Sequence, residues 1–290
     1  MPEATMVDAR QEILDLKSLP PLSVTASRLL ETVANPEVEI AELSYIISQD
    51  PGLMARIIGL ANAAYFGQAV AITTVHDAIV RVLGINMVKS LAISMSVSGA
   101  FNSDSCTGFS TKEYWFNAIG CATMSRMMVL RIPAGERPDP EKVYLSGLLH
   151  NLGCLVLAHL FPSKLSHVLA LKNKDPDADL ETLQQEYLGV DWISAGEWLV
   201  NRWHLPDFVS EVIGAVADRS YAPQDKYDVT LIRGAIHWLS GYPEQEPGVS
   251  RLSEDSSLGL IPGLGVDALG LVEDKFLDRC EELDALASRL

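Results

Sequence analysis

Apolar residues recur along this chain at three- and four-residue spacings, interrupted by Pro, Gly, Asn and Asp, a pattern that predicts helices joined by turns. After Leu19-Pro20-Pro21-Leu22, the positions Val24, Leu29, Leu30 and Val33 keep a helical period until Asn35-Pro36 breaks it. Ile40, Leu43, Ile46 and Ile47 line the face of a second helix. Asp50-Pro51 reads as the N-cap and first residue of a third, which carries Leu53, Ile57, Leu60 and Ala61 and is expected to end at Gly67. Thr73 or Thr74 can cap a helix with Val75, Ile79, Val82 and Leu83 that stops at Gly84. Asn86 can cap the next, burying Val88, Leu91 and Met95.

Residues 102–108 are small and polar and mark a boundary between a first lobe, 19–101, and a second, 109–240. Ser110 and Glu113 have capping-box spacing at the start of a long helix through Tyr114, Trp115, Ile119, Met124 and Met128, whose methionines suit packing. Asp139-Pro140 opens a further helix, expected to run through His150 and Asn151 to Leu157 with Val143, Leu148, Leu152 and Leu155 buried. More helices are expected at 163–172, 180–188, 192–203, 207–217 and about 229–240. Residues 241–265, rich in Gly, Pro and Ser, read as a long loop, and Leu269, Val272, Phe276, Cys280, Leu283 and Leu290 as one closing amphipathic helix on the second lobe. With no strand run, the expected fold class is all-α, with 1–18 as an N-terminal segment and 241–290 as a tail.

The chain has 290 residues, 48% of them hydrophobic and 21% charged, enough for a large core in one domain or two lobes. A formal net charge of −16 works against a broad nucleic-acid surface, because duplex binding needs Lys and Arg to replace phosphate counterions. The two helices around Gly84 have the order of a helix-turn-helix, but beyond Lys89 the second offers only small and apolar side chains, so DNA reading is not expected. No apolar run reaches the ~18 uninterrupted residues of a membrane span, and the N-terminus lacks a basic segment followed by an apolar one. Cys106, Cys121, Cys154 and Cys280 are scattered, which fits reduced thiols in a cytoplasm better than disulfides or structural zinc.

Candidate chemistry centres on Gly147-Leu148-Leu149-His150-Asn151-Leu152-Gly153, where an imidazole and a carboxamide sit side by side in an apolar run. Buried polar groups are normally paired, so His150 either hydrogen-bonds within the core or ligates something. His159 lies about 13 Å further along a helix and cannot share a ligand with it. His76, His167 and His204 read as surface or capping residues.

In order along the chain, Leu19-Pro20-Pro21-Leu22, Gln49-Asp50-Pro51-Gly52-Leu53, Leu60-Ala61-Asn62-Ala63-Ala64-Tyr65-Phe66-Gly67 and Ala78-Ile79-Val80-Arg81-Val82-Leu83-Gly84 resemble the HDOD family, the HD-related output domains of bacterial signalling proteins. Gly147 to Gly153 and Trp203-His204-Leu205-Pro206 are similar to its second-lobe motifs, and the resemblance spans about 19–218. It implies a two-lobed helical fold related to the HD and HD-GYP phosphohydrolases, in which a His-Asp pair helps hold metals that activate water. Here the Asp is Asn151, and other expected ligand positions appear as Asn117 and Trp192, with Cys154 in place of a Lys. An uncharged amide is a weak ligand for a dication, so these residues read as a vestigial pocket with no catalytic residue, metal or cofactor expected. His237 is the one candidate addition to it.

The expected function is therefore a non-catalytic signalling or regulatory module in a bacterial cytoplasm, acting through an unknown protein partner or a small ligand, with no membrane or nucleic acid. Tyr65-Phe66 and the closing helix are candidate contact surfaces. The stretch before Leu19 is expected to leave no room for a receiver domain. Two alternatives stand beside this: a metal-dependent phosphohydrolase using His150, His237 and Asp191 or Asp218, and a helix-turn-helix regulator.

Overall fold

The computed structural model describes residues 19–33, 35, 38–62, 71–216, 227–242 and 250–290. The regular elements among them are all helical. In the first lobe, α1 (Val24–Glu31), α2 (Ile40–Ser48) and α3 (Pro51–Ala61) precede the short α4 (Val75–Ala78), a π-helical turn over Ile79–Leu83, and α5 (Ile85–Ser98). Several starts are set by side-chain caps that satisfy otherwise orphaned amides. Asp50 accepts from the Leu53 amide at 3.0 Å and Thr74 from that of Asp77 at 3.0 Å. Asn86 is not a cap: Gly84, at φ 80°, occupies the N-cap position, and α5 begins one residue before Asn86. The third helix stops at Ala61; Gly67, like Tyr65-Phe66 and Asp218, lies outside the described residues. Most of α5 is buried, Val88, Leu91, Ile93 and Met95 among its residues, so it cannot enter a DNA groove in this fold.

The second lobe is built on α6 (Thr111–Val129), which is buried around most of its circumference, as expected of a central helix. Ser110 caps it through the Glu113 amide at 3.1 Å. Around it lie α7 (Pro140–Leu149), α8 (Leu152–Leu160), α9 (Pro162–Lys174), α10 (Leu180–Leu188), α11 (Trp192–Arg202), α12 (Asp207–Ala215) and α13 (Asp228–Leu239). Both α7 and α13 pack directly on α6, while α8 crosses α11. One buried apolar cluster continues from Leu29 and Leu43 through Leu148 and Trp238 to Phe276, bridged where α5 meets α7.

Three expected elements are broken differently. The helix opened by Asp139 and Pro140 is interrupted at His150-Asn151, where Asn151 adopts φ −98°, ψ 16° before α8 starts. The interruption falls between two glycines held against different helices. A Cβ on Gly147 would come within 2.6 Å of the Ala122 Cα, and one on Gly153 would overlap the Trp192 carbonyl oxygen and reach within 2.6 Å of the Gly196 amide. The 241–265 region is not simply a loop: Leu252–Glu254 forms a 3-10 turn and α14 spans Ser256–Gly259, with Leu252, Leu258, Ile261 and Leu264 buried. Apolar anchors outweigh its Gly and Ser content, and buried Glu273 accepts from the Leu252 amide at 2.6 Å. The closing helix is two, α15 (Val266–Leu277) and α16 (Cys280–Ala287), and the break at Asp278-Arg279 lets both lie on α6. Pro140–Leu160 is long and apolar enough to cross a membrane by length and composition, but 83% of its most apolar window is buried inside the protein. The four cysteines are free.

Candidate functional site

His150 and Asn151 face a cavity of about 310 Å³ whose wall draws on α6, α8, α10, α11 and α13. Asn117, Cys154 and Trp192 line it as well. Both central residues are buried, His150 at 4% exposure and Asn151 at 6%. His150 Nδ1 lies 2.7 Å from the Gly147 carbonyl oxygen. A carbonyl only accepts, so Nδ1 carries the proton and Nε2 the free lone pair. Burial pulls the imidazole pKa down to about 4, against the smaller opposing effect of the Gly147 bond. The ring is therefore neutral near pH 7, with the Trp192 ring edge-on at 6.2 Å between centroids.

Asn151 is oriented by the same reasoning: its Nδ2 donates to the Tyr114 carbonyl oxygen at 3.1 Å, which leaves Oδ1 as the free end. That oxygen is closed to water and has no hydrogen-bond partner among the described residues. The Cys154 thiol is pushed up to about 12, first by burial and then by nearby Glu181, so it is a thiol rather than a thiolate ligand. Trp192 donates its indole N–H to Glu181 Oε1 at 2.8 Å and its backbone N–H to Gln184 Oε1 at 2.9 Å. Asn117 is exposed at the rim.

The structure thus gathers His150, Asn151, Asn117, Trp192 and Cys154 around one space and leaves His237 out of it. His237 is exposed and lines a neighbouring cavity of about 810 Å³, which shares Glu181 and Trp192 with the first. Asp191 is the N-cap of α11, accepting from the Ser194 amide at 2.7 Å and from Gln185 at 2.5 Å. His159 pairs with the backbone of Asn102, and His76 and His167 are exposed. Sequence reading missed Glu181 and Gln184, which look in sequence like polar positions of a half-exposed helix; only the fold brings them to Trp192.

A divalent metal is the group that related hydrolases would hold here, and the donor set does not fit it. A single imidazole, two carboxamides and a protonated thiol line the cavity; of its two carboxylates, Glu113 lies on the exposed first turn of α6 and Glu181 accepts from the Trp192 indole. Among the described residues no three His, Cys, Asp or Glu side chains are grouped to hold a metal ion. No step through a metal is derived from this geometry.

Fold and site define an all-helical, two-lobed protein with a buried imidazole–carboxamide pair, His150 and Asn151, facing an internal cavity. The chain belongs to the HDOD domain family, whose profile matches residues 19–218. An uncharacterised protein of Treponema pallidum (strain Nichols) is 28% identical over 214 residues, 73% of this chain and 39% of that protein. A provisionally named signal transduction protein of Marinobacter aquaeolei VT8 superposes with a TM-score of 0.79 at 27% identity, over 93% of this chain and 59% of that one. This chain therefore spans 39% of the length of the first and 59% of the second, under two thirds of each. A provisionally named phosphohydrolase of Shewanella amazonensis SB2B has a TM-score of 0.76 at 24% identity over 98% of each chain, a likeness of fold.

Proposed function

We propose that this protein is a non-catalytic HDOD signalling or regulatory module that acts by binding a protein partner or a small ligand. The observation that carries this reading is the Asn151 carboxamide, held by the Tyr114 carbonyl beside a neutral His150, where the HD hydrolases that this chain resembles use a His-Asp pair to hold metal. Kinship with a provisionally named signal transduction protein supports it.

The test is metal content per chain after dialysis against excess manganese, iron or zinc, for the wild type, His150→Ala and Asn151→Asp. Metal well below one per chain in the wild type is expected. Near-stoichiometric metal that disappears in His150→Ala would overturn the reading in favour of a phosphohydrolase. Asn151→Asp sets a carboxylate against the Tyr114 carbonyl oxygen, a buried charge facing an acceptor, and is expected to lose roughly 3 kcal/mol of stability at pH 7.

A further inference from the structure

Apart from the cavity around His150, a cleft of about 880 Å³ lies between the lobes, framed by α1 and α5 on one side and by α7 and the α11–α12 turn on the other. Its volume falls in the ~300–1,000 Å³ range of small-molecule sites. Leu30, Leu145, Trp203 and Phe208 give it apolar and aromatic wall. Two sequence motifs that the His150 site does not use meet here, Leu22 from the first and Trp203 to Pro206 from the second.

His204 is the notable residue. It is the one non-glycine with positive φ, 51°, among the described residues. The Leu205 amide donates to the Val200 carbonyl at 2.9 Å and the His204 amide to that of Asn201 at 3.4 Å, so His204 fills the left-handed position of a Schellman cap. Glycine would hold that position without the cost of about 1 kcal/mol that a side chain brings. The strained backbone presents an exposed imidazole to the cleft instead.

The charges lining the cleft are unevenly committed. Asp139 caps α7 through the Glu141 and Lys142 amides, and Glu141 pairs with Arg126 at 3.1 Å. Glu31 remains, against Lys89 and Lys142, neither of which has a carboxylate within ion-pairing distance among the described residues. Lys142 lies 5.8 Å from the centre of the Phe208 ring. The lining carries three carboxylates and two ammonium groups, but Asp139 and Glu141 are held by amides and by Arg126 while Lys89 and Lys142 have no ion pair among the described residues, and the His204 imidazole joins them in the lining.

We infer that this cleft binds an organic anion with a flat apolar body, its acidic group met by Lys89, Lys142 and His204 and its ring system by Trp203 and Phe208. The site shares no residue with the His150 cavity and goes beyond the function proposed above. The test uses two probes with the same aromatic body, anionic 8-anilinonaphthalene-1-sulfonate and uncharged N-phenyl-1-naphthylamine, titrated into the full chain with fluorescence readout. The sulfonate is expected to bind once per chain and about tenfold more tightly than the amine, one charge-assisted contact's worth. Lys89→Gln is expected to remove that preference without changing the amine's affinity. His204→Gly is expected to raise the thermal midpoint while weakening the sulfonate severalfold, a pairing that a purely structural cap would not produce. Equal affinity for the two probes, sulfonate binding indifferent to both substitutions, or no saturable binding would each overturn the inference. Metal retention is not read in this experiment, so failure at the cleft is distinguishable from failure of the non-catalytic reading.

Discussion

At the residue scale, the fold keeps the His150 imidazole neutral, and that choice is tied to pH. Its pKa is about 4 when folded, against an ordinary value near 6.5, so between those values the unfolded chain binds the extra proton. The contribution of neutral burial is therefore complete above about pH 6.5 and is lost as pH falls toward 4, by up to roughly 3 kcal/mol. Urea unfolding between pH 7 and 4 is expected to show a steeper fall in stability for the wild type than for His150→Gln, and equal slopes would contradict a neutral buried ring. The candidate pair itself was legible in sequence, because two polar residues stand out in an apolar run. The direction of each was not: only the Gly147 and Tyr114 carbonyls decide which end of His150 and of Asn151 is free.

At the element scale, the candidate cavity exists because α7 and α8 approach their neighbours at bare backbone. Gly147 lies against Ala122 of α6 and Gly153 against Trp192 and Gly196 of α11. Gly153→Ala would force α8 and α11 apart and is expected to destabilise by about 3 kcal/mol or more in denaturant unfolding. Gly270→Ala is the opposite case, a helical site with nothing within 4 Å of the new methyl, and is expected to stabilise by about 0.5–1 kcal/mol. Similar losses at both positions would remove close approach as the explanation. The helix starts at Asp50, Ser110 and Asp139 were readable because capping is a contact within one turn. The breaks at Asn151 and Asp278-Arg279 were not, since the apolar period runs through both and the interruption serves packing on helices far away in sequence.

At the scale of the whole molecule, the buried cluster crosses from the first lobe to the second where α5 packs on α7. One cooperative unfolding transition follows. Trp115, Trp192, Trp198, Trp203 and Trp238 are all in the second lobe, so tryptophan fluorescence reports that lobe while far-ultraviolet circular dichroism reports every helix. The two curves are expected to coincide, and separated midpoints would divide the molecule into two units. By itself the sequence determined the all-helical class, most helix starts, the burial of His150 and Asn151, and the HDOD kinship, because a 3.6-residue period, a cap and a short motif are each written in neighbouring residues. The family resemblance already grouped Asn117, Cys154 and Trp192 with His150; tertiary structure alone decided that His237 lines another cavity, that Glu181 and Gln184 hold Trp192, and that Lys89, Lys142 and His204 line one cleft. Those placements depend on contacts between residues on different helices, some more than a hundred positions apart, which only the packed helices bring together.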